Sequence, residues 1–222
     1  MATTAEVRRC TRLRGEPMRG RAAPERDSMS GTTNEGKEFM HYLSHYESPL
    51  GAMTMASDGE HLTGLWFDGQ KYDRSTIDGN AEFKPHLPVF TQTTQWLDTY
   101  FEGTEPSFTL PIRIEGSDFK KMVTSIMLSI PFGATSTYAR IAAEVARRTG
   151  RKQMSAQAVG GAVGHNPITL IVPCHRVLAS DGSLRGYAGG VDRKERLLEM
   201  EGVNMSGLST PPAADDGGGR RE

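Results

Sequence analysis

The chain has 222 residues, 26 of them basic and 27 acidic, long enough to bury a core as one large domain or two small ones. No run approaches the roughly 18 apolar residues of a membrane-spanning helix, and the N-terminus lacks the apolar centre of a signal peptide, so no membrane association is expected. Two cysteines, Cys10 and Cys174, make neither a disulfide framework nor a zinc-ligand cluster; this fits a reducing cytoplasm and predicts no metal and no cofactor.

Residues 1–39 are rich in Arg, Gly, Ser and Thr with almost no apolar periodicity, and are expected to be a disordered extension. They read either as a basic arm or as translation upstream of a true start at Met29 or Met40. From Met40 the pattern turns β-like. Residues 41–48, 51–56 and 60–67 carry Tyr, Leu, Met and Trp, and Pro49, Gly51, Asp58-Gly59 and Asp68-Gly69 punctuate them as turns. After a loop marked by Pro85 and Pro88, a helix is predicted over 91–102, because Trp96, Leu97, Tyr100 and Phe101 form one stripe and Gly103 stops it. An extended piece over 108–114 closes a first unit, residues 40–116. It carries four basic and eleven acidic residues, net −7, and no catalytic constellation, so a supporting α/β domain with an antiparallel sheet is expected.

Residues 117–203 invert that balance, with twelve basic and seven acidic residues, net +5, which suits a polyanionic partner. Phe119, Met122, Val123, Ile126, Met127 and Ile130 recur at helical spacing after a cap at Ser117 or Asp118. Thr137 caps a second helix with Tyr138, Ile141, Ala142, Val145 and Ala146 on one face, and Ser155 caps a third from Ala156 to about Gly164. The tight basic turn Arg147-Arg148-Thr149-Gly150-Arg151-Lys152 between them predicts a helix-turn-helix. Ala156, Ala158, Gly160, Gly161, Ala162 and Gly164 make the third helix slim, and each interior glycine costs about 1 kcal/mol against alanine. Its backbone is expected to lie close against something, either another helix of the same chain or a ligand. A last helix is predicted over 191–201. Residues 204–222, with Pro211-Pro212 and Gly217-Gly218-Gly219, read as a disordered tail.

The chemistry concentrates in Pro173-Cys174-His175-Arg176-Val177. A thiol ionises near pH 8.5 and its sulfur is polarizable, so it is the strongest nucleophile a protein carries near neutrality. Pro173 fixes its own φ and keeps Val172 out of the helical region, giving a rigid approach to the cysteine. His175 follows the thiol directly, and Glu201 stands 27 residues after Cys174. Taken singly these residues read blandly: Tyr138 as a packing tyrosine, Asn166 before Pro167 as a turn former, Glu201 as a helix-end carboxylate poorly placed against the dipole.

Together with Gly160-Gly161, His165-Asn166-Pro167 and Gly186-Tyr187-Ala188-Gly189-Gly190, the five residues make the chain resemble the O6-alkylguanine-DNA alkyltransferases (methylated-DNA–protein-cysteine methyltransferases) over about 40–203, most closely over 119–202. The resemblance implies an α+β fold: a ribonuclease H-like sheet domain followed by a mostly helical domain, 117–203, with the helix-turn-helix. It implies irreversible, single-turnover transfer of an alkyl group from O6-alkylguanine, with O4-alkylthymine as a secondary substrate, to Cys174. The lesion lies inside the duplex stack and is reached only after the nucleotide is rotated out. By the same resemblance His175 acts through a water, oriented by Glu201. Tyr138 donates toward guanine N3, Asn166 is a hinge, and Pro173, Val177, Tyr187, Ala188 and Gly189 line the pocket. Ala156, Gln157, Gly160, Gly161, Arg151 and Arg176 are expected on the DNA side, Arg176 with a structural alternative, and the third helix enters the minor groove. The partner is double-stranded DNA, and the protein is expected to be a cytoplasmic monomer, nucleoid-associated in a prokaryote.

One position departs from that pattern: Gln157, seventeen residues before Cys174, stands where many family members have an arginine that fills the gap left by the flipped base. Three other readings stay open at this level. A cysteine hydrolase needs turnover and an oxyanion hole. A helix-turn-helix regulator does not need the thiol, and a lesion-binding protein without chemistry has no use for it.

Overall fold

The computed structural model describes residues 40–210, so Cys10 and the N-terminal extension lie outside the described residues. Strands β1 (His41–Ser48), β2 (Gly51–Ser57) and β3 (Leu62–Phe67) form an antiparallel meander, in register from Ser48 opposite Gly51 to Met53 opposite Phe67. A fourth strand, β4 (Ala81–Phe83), pairs parallel to β1 and gives the order β3-β2-β1-β4. The sheet is therefore mixed, not the antiparallel one expected. β4 is three exposed residues on an edge, so it has no buried face to impress a period on its sequence.

The extended piece expected over 108–114 is not a strand. Ile112 alone bridges to Leu62, whose backbone N–H donates to Pro111 O at 2.8 Å and whose carbonyl accepts from Arg113 N–H at 2.9 Å. Helix α1 (Pro88–Phe101) begins three residues before the predicted start, because a proline at the first helical position needs no hydrogen-bond partner there and presets φ. It buries Val89, Phe90, Thr93, Leu97 and Tyr100.

The second half follows its caps. Helix α2 (Asp118–Leu128) starts where Ser117 Oγ accepts from Lys120 N–H at 3.3 Å. After the short strand β5 (Ser136–Thr137), Thr137 Oγ1 caps α3 (Tyr138–Thr149) at 3.1 Å, and Gly150 at φ +66° ends it in the left-handed conformation. Ser155 caps α4 (Ala156–Gly164), completing the helix-turn-helix. A 3₁₀ turn over Cys174–Arg176 leads into β6 (Val177–Leu178), which pairs parallel with β5. Helix α5 (Val191–Met200) closes the second half, with Glu201 as its C-cap.

One core runs through both halves: Met53, Leu65 and Phe67 from the sheet and Leu97 from α1 join Val123, Ile141, Val145 and Val159 from the helices. The chain leading to the cysteine also docks on the free edge of β3, where Leu65 N–H donates to Pro167 O at 2.8 Å and Leu65 O accepts from Thr169 N–H at 2.9 Å. Part of the expected tail is ordered among the described residues. Met205 and Leu208 pack on a small cluster of Leu178, Leu184 and Leu198, and Leu184 N–H donates to Ser209 O at 3.0 Å.

Gly64 in β3 faces the ring of buried Trp66, and a Cβ there would lie 1.8 Å from it. Gly64→Ala should destabilise the fold by about 2 kcal/mol or more through overpacking, read as a lower urea midpoint with an unchanged slope.

Candidate active site

Cys174 is carried by a sequence of tight turns, not by a strand. Leu170 sits at φ +70° in the left-handed region, a cost of about 1–2 kcal/mol for a residue with a Cβ. Pro173, at φ −81° and ψ 64°, lets Cys174 N–H donate back to Val172 O at 2.8 Å in a three-residue turn. Because residues 174–176 are a 3₁₀ turn, the opposite facing of neighbouring side chains that a strand imposes does not apply to Cys174 and His175.

Asn166 holds this arrangement from below. Its Nδ2 donates to Ile168 O at 3.2 Å, to Val172 O at 2.8 Å and to Cys174 Sγ at 3.0 Å, and its Oδ1 accepts from Ile168 N–H at 3.1 Å. The expected hinge asparagine thus touches the sulfur itself. Burial pushes the Cys174 thiol above its ordinary pKa, against the opposing pull of the Asn166 donor and the nearby Lys194 charge. The resting sulfur is a protonated, buried thiol.

His175 and Glu201 are fully buried and paired, Nε2 to Oε1, at 2.7 Å. Burial raises the cost of ionising Glu201, but the hydrogen bonds and charges of His175 and Arg176 outweigh it and bring the carboxyl down to about 2. The ring goes the other way: desolvation lowers the His175 pKa despite Glu201, helped by the positive Arg176 and Lys194. We therefore read an ionised Glu201 beside a neutral imidazole. The carboxylate accepts, so Nε2 carries the proton and Nδ1 is the basic nitrogen; Nδ1 has no hydrogen-bond partner among the described residues.

Of the two roles expected for Arg176, its contacts favour the structural one over the DNA side. Its Nε and Nη2 grip Glu201 at 2.8 and 3.0 Å, its Nη1 donates to Ile130 O at 2.7 Å, and the residue is buried. The carboxylate that looked poorly placed at a helix C-terminus is thereby neutralised from the side.

Two residues at the site escape sequence reasoning. Lys194 on α5 is fully buried, donates to Val177 O at 2.6 Å, and has its pKa brought down to about 8 by burial against the influence of Cys174. Its signal was its spacing: Lys194, Leu197, Leu198 and Glu201 lie at i, i+3, i+4 and i+7, so a lysine occupies the buried stripe of α5. Tyr100 comes from α1, in the half expected to be only supporting, and its hydroxyl donates to Glu201 Oε1 at 2.7 Å.

Tyr187 is buried, lies edge-on to the His175 ring at 6.4 Å, and has its hydroxyl pKa raised by burial and by Cys174. Pro173, Val177 and Gly189 are buried and Ala188 is half-buried. Tyr138, at the start of α3, reaches Gly186 O with its hydroxyl at 3.4 Å and has its pKa pushed up to about 12 by burial and Cys174. A cavity of about 260 Å³ opens between this loop and α4, lined by Gly160, Gly161, Gly164, Gly186, Tyr187 and Ala188, with Tyr72 stacked on His165 at its rim. A Cβ on Gly161 or Gly164 would meet nothing within 4 Å. The slim face of α4 is therefore open, and no helix of the described chain fills it. Ala156, Gln157 and Arg151 are exposed at the start of α4 and in the turn before it. Arg147 and Arg148 both bind Glu144 at 2.7 Å, whereas the exposed Arg151 and Lys152 make no ion pair among the described residues.

Two family models match the sequence: the ribonuclease-like domain of 6-O-methylguanine DNA methyltransferase over residues 41–114 and its DNA-binding domain over residues 118–203. The methylated-DNA–protein-cysteine methyltransferase of Mycobacterium tuberculosis is 38% identical over 163 residues, 73% of this chain and 93% of its own. That of Methanosarcina barkeri is 39% identical over 165 residues, 74% and 99%. Among solved structures, the M. tuberculosis O6-methylguanine methyltransferase superposes with a TM-score of 0.62 at 38% identity, covering 73% of this chain and 93% of its own. The M. tuberculosis OGT in complex with DNA gives 0.61 at 37%, covering 73% and 92%.

Glu201 titrates lower in the fold than in the unfolded chain, so its contribution to stability is complete above about pH 4.5 and is lost as pH falls toward about 2. Glu201→Gln should remove that part of the acid dependence, read from unfolding midpoints across this range. Asn166→Asp would set a carboxylate beside the sulfur in place of a donor. It should raise the thiol pKa further, read as a shift to higher pH of thiolate absorbance in the reduced protein.

Proposed function

The chain belongs to the 6-O-methylguanine DNA methyltransferase family, and on that footing we propose that it repairs DNA by moving a methyl or larger alkyl group from guanine O6 onto Sγ of Cys174, once per molecule. The observation that carries this reading is the buried thiol bonded to Asn166, one residue from a histidine whose Nε2 is bound to a buried carboxylate. Such a set makes a nucleophile on demand from a neutral resting state.

In the displacement, the thiol proton leaves through a water toward Nδ1 of His175, and the sulfur attacks the alkyl carbon in line with O6. The S–C bond forms, the C–O6 bond breaks, and guanine leaves with its electron pair. Tyr138 donates its hydroxyl toward N3 and makes the base a better leaving group. Lys194, a cation near the sulfur, lowers the cost of the thiolate while it exists. Pro173, Val177, Tyr187, Ala188 and Gly189 form the alkyl pocket. The product thioether has no good leaving group, so the protein is consumed.

The lesion reaches the thiol only outside the stack, so the partner is double-stranded DNA carrying O6-alkylguanine, with O4-alkylthymine as the secondary substrate. Residues 117–203 carry the acceptor and the DNA face, and residues 40–116 support them. The open glycine face of α4 suits a minor groove only about 6 Å wide, with Ala156, Gly160 and Gly161 against the DNA and Arg151 near phosphate. Gln157 keeps hydrogen-bonding capacity toward the orphaned cytosine but lacks the guanidinium plane and charge. The protein acts as a monomer, since a second subunit adds nothing to a single-hit reaction. No helix among the described residues is long and apolar enough to cross a membrane. A partner that is genomic DNA puts the protein in the cytoplasm, at the nucleoid if the cell is a prokaryote.

Mixing the reduced protein with a short duplex containing O6-methylguanine should add about 14 Da, one CH2, to the peptide holding Cys174, as covalent transfer to a nucleophile requires. Cys174→Ala should abolish repair; unrepaired duplex with the folded wild type, or repair by the alanine variant, would defeat the reading. Gln157→Arg should raise the transfer rate on duplex DNA, measured in single-turnover kinetics, and leave reaction with the free base unchanged.

A further inference from the structure

Tyr100 lies in α1, in the acidic first half of the chain, yet its hydroxyl is completely buried beside the base. It donates to Glu201 Oε1 at 2.7 Å and stands 3.3 Å from His175 Nε2, the ring nitrogen bound to that same oxygen. The ring is held on three sides: stacked on Trp96 at 5.3 Å, edge-on to Phe132 at 6.0 Å and edge-on to His175 at 6.4 Å. A hydroxyl so fixed has one place to send its proton.

We propose that Tyr100 is a positioning residue for the transfer reaction: its hydroxyl shares the negative charge of Glu201 with His175 and so sets how strongly that histidine holds a proton. This rests on the reading of His175 as the base for Cys174. The charge on Oε1 is divided among Tyr100, His175 Nε2 and Arg176 Nη2, while Oε2 is bound by Arg176 Nε and Gly133 N–H. Apart from His175 itself, only Tyr100 among these donors is both neutral and a removable side-chain group. Withdrawing it concentrates charge on the bond to His175, stabilises the imidazolium and makes the ring titrate higher. A ring already protonated cannot accept the thiol proton, so transfer is lost at the acid end first. The other titratable groups facing the pair are Cys174, Tyr187 and Lys194, and none of them contacts the Tyr100 hydroxyl among the described hydrogen bonds.

The test is the pH profile of single-turnover alkyl transfer from O6-methylguanine duplex, for the full chain and for Tyr100→Phe, which keeps the packed ring and removes only the donor. The acid limb should move to higher pH by about half to one unit, the size of one hydrogen bond, with the rates converging at high pH. Site-specific 3,5-difluorotyrosine at position 100, a stronger donor in the same ring, should move the limb to lower pH, and it covers the case in which the phenylalanine variant does not fold. A limb that stays in place in the variant that folds, whether or not its rate falls uniformly, overturns the proposal. Failure of the wild type to take up the alkyl group would instead defeat the reading of function beneath it, and the two results are separate.

Discussion

The buried carboxylate of Glu201 is the charge around which the site is assembled. Removing an anion from water costs several kcal/mol, and the cost is tolerable only if the surroundings return it through well-aligned donors. Here the donors come from places far apart in the chain: Tyr100 on α1, Gly133 before β5, and His175 and Arg176 on the 3₁₀ turn. Gly133 lies at φ +72°, and a Cβ on it would sit 2.8 Å from the Glu201 carbonyl, so the approach is open to glycine and to little else. Satisfying one anion thus locks the end of α5, the cysteine turn and the first half of the chain into a single geometry.

That geometry keeps the nucleophile quiet. Burial drives the thiol toward its protonated form and the imidazole toward its neutral form, and it weakens the hold of Lys194 on its proton. No charge need stay on the sulfur while the protein waits, and the groups that would stabilise one, the Asn166 amide and the Lys194 cation, are already in place. For a protein spent in one event, a resting thiol that resists stray electrophiles is worth more than a permanently ionised one. No hydrogen bond joins Cys174 to His175 among the described residues, whereas a cysteine hydrolase needs its thiol and base in direct contact.

The slim third helix is the second constraint. Its glycines each cost helix stability, and the described chain does not return that cost by packing, since Gly161 and Gly164 face open space beside a cavity. The sequence posed the question of what lies against this helix and offered another helix as one answer. Gly160 does lie against Tyr138 of α3, but at Gly161 and Gly164 the fold removes that answer and leaves room for a ligand.

Much of the architecture was legible because it rests on local chemistry. Ser117, Thr137 and Ser155 start their helices as side-chain caps do anywhere, and the apolar spacing of α2 and α3 follows from one buried face. The residues around Cys174 were legible as a motif. What eluded the sequence lacks a local signature. Strand β4 is an exposed edge, the cysteine turn is built from a left-handed leucine and a proline in a three-residue turn, and Met205 and Leu208 hold the expected tail on a cluster that draws Leu178 and Leu184 from a distant stretch of the chain. The two readings of Arg176, structural or facing phosphate, could not be separated in the sequence, because an arginine beside a nucleophile carries no mark of whether its partner is DNA or a carboxylate 25 residues on. By itself the sequence determined which side chains the protein owns and where helices begin, since caps, periods and turn residues act over a few positions. Only the tertiary structure decided which charges meet out of water, because the energy of a buried ion depends on donors that the chain brings together from remote positions.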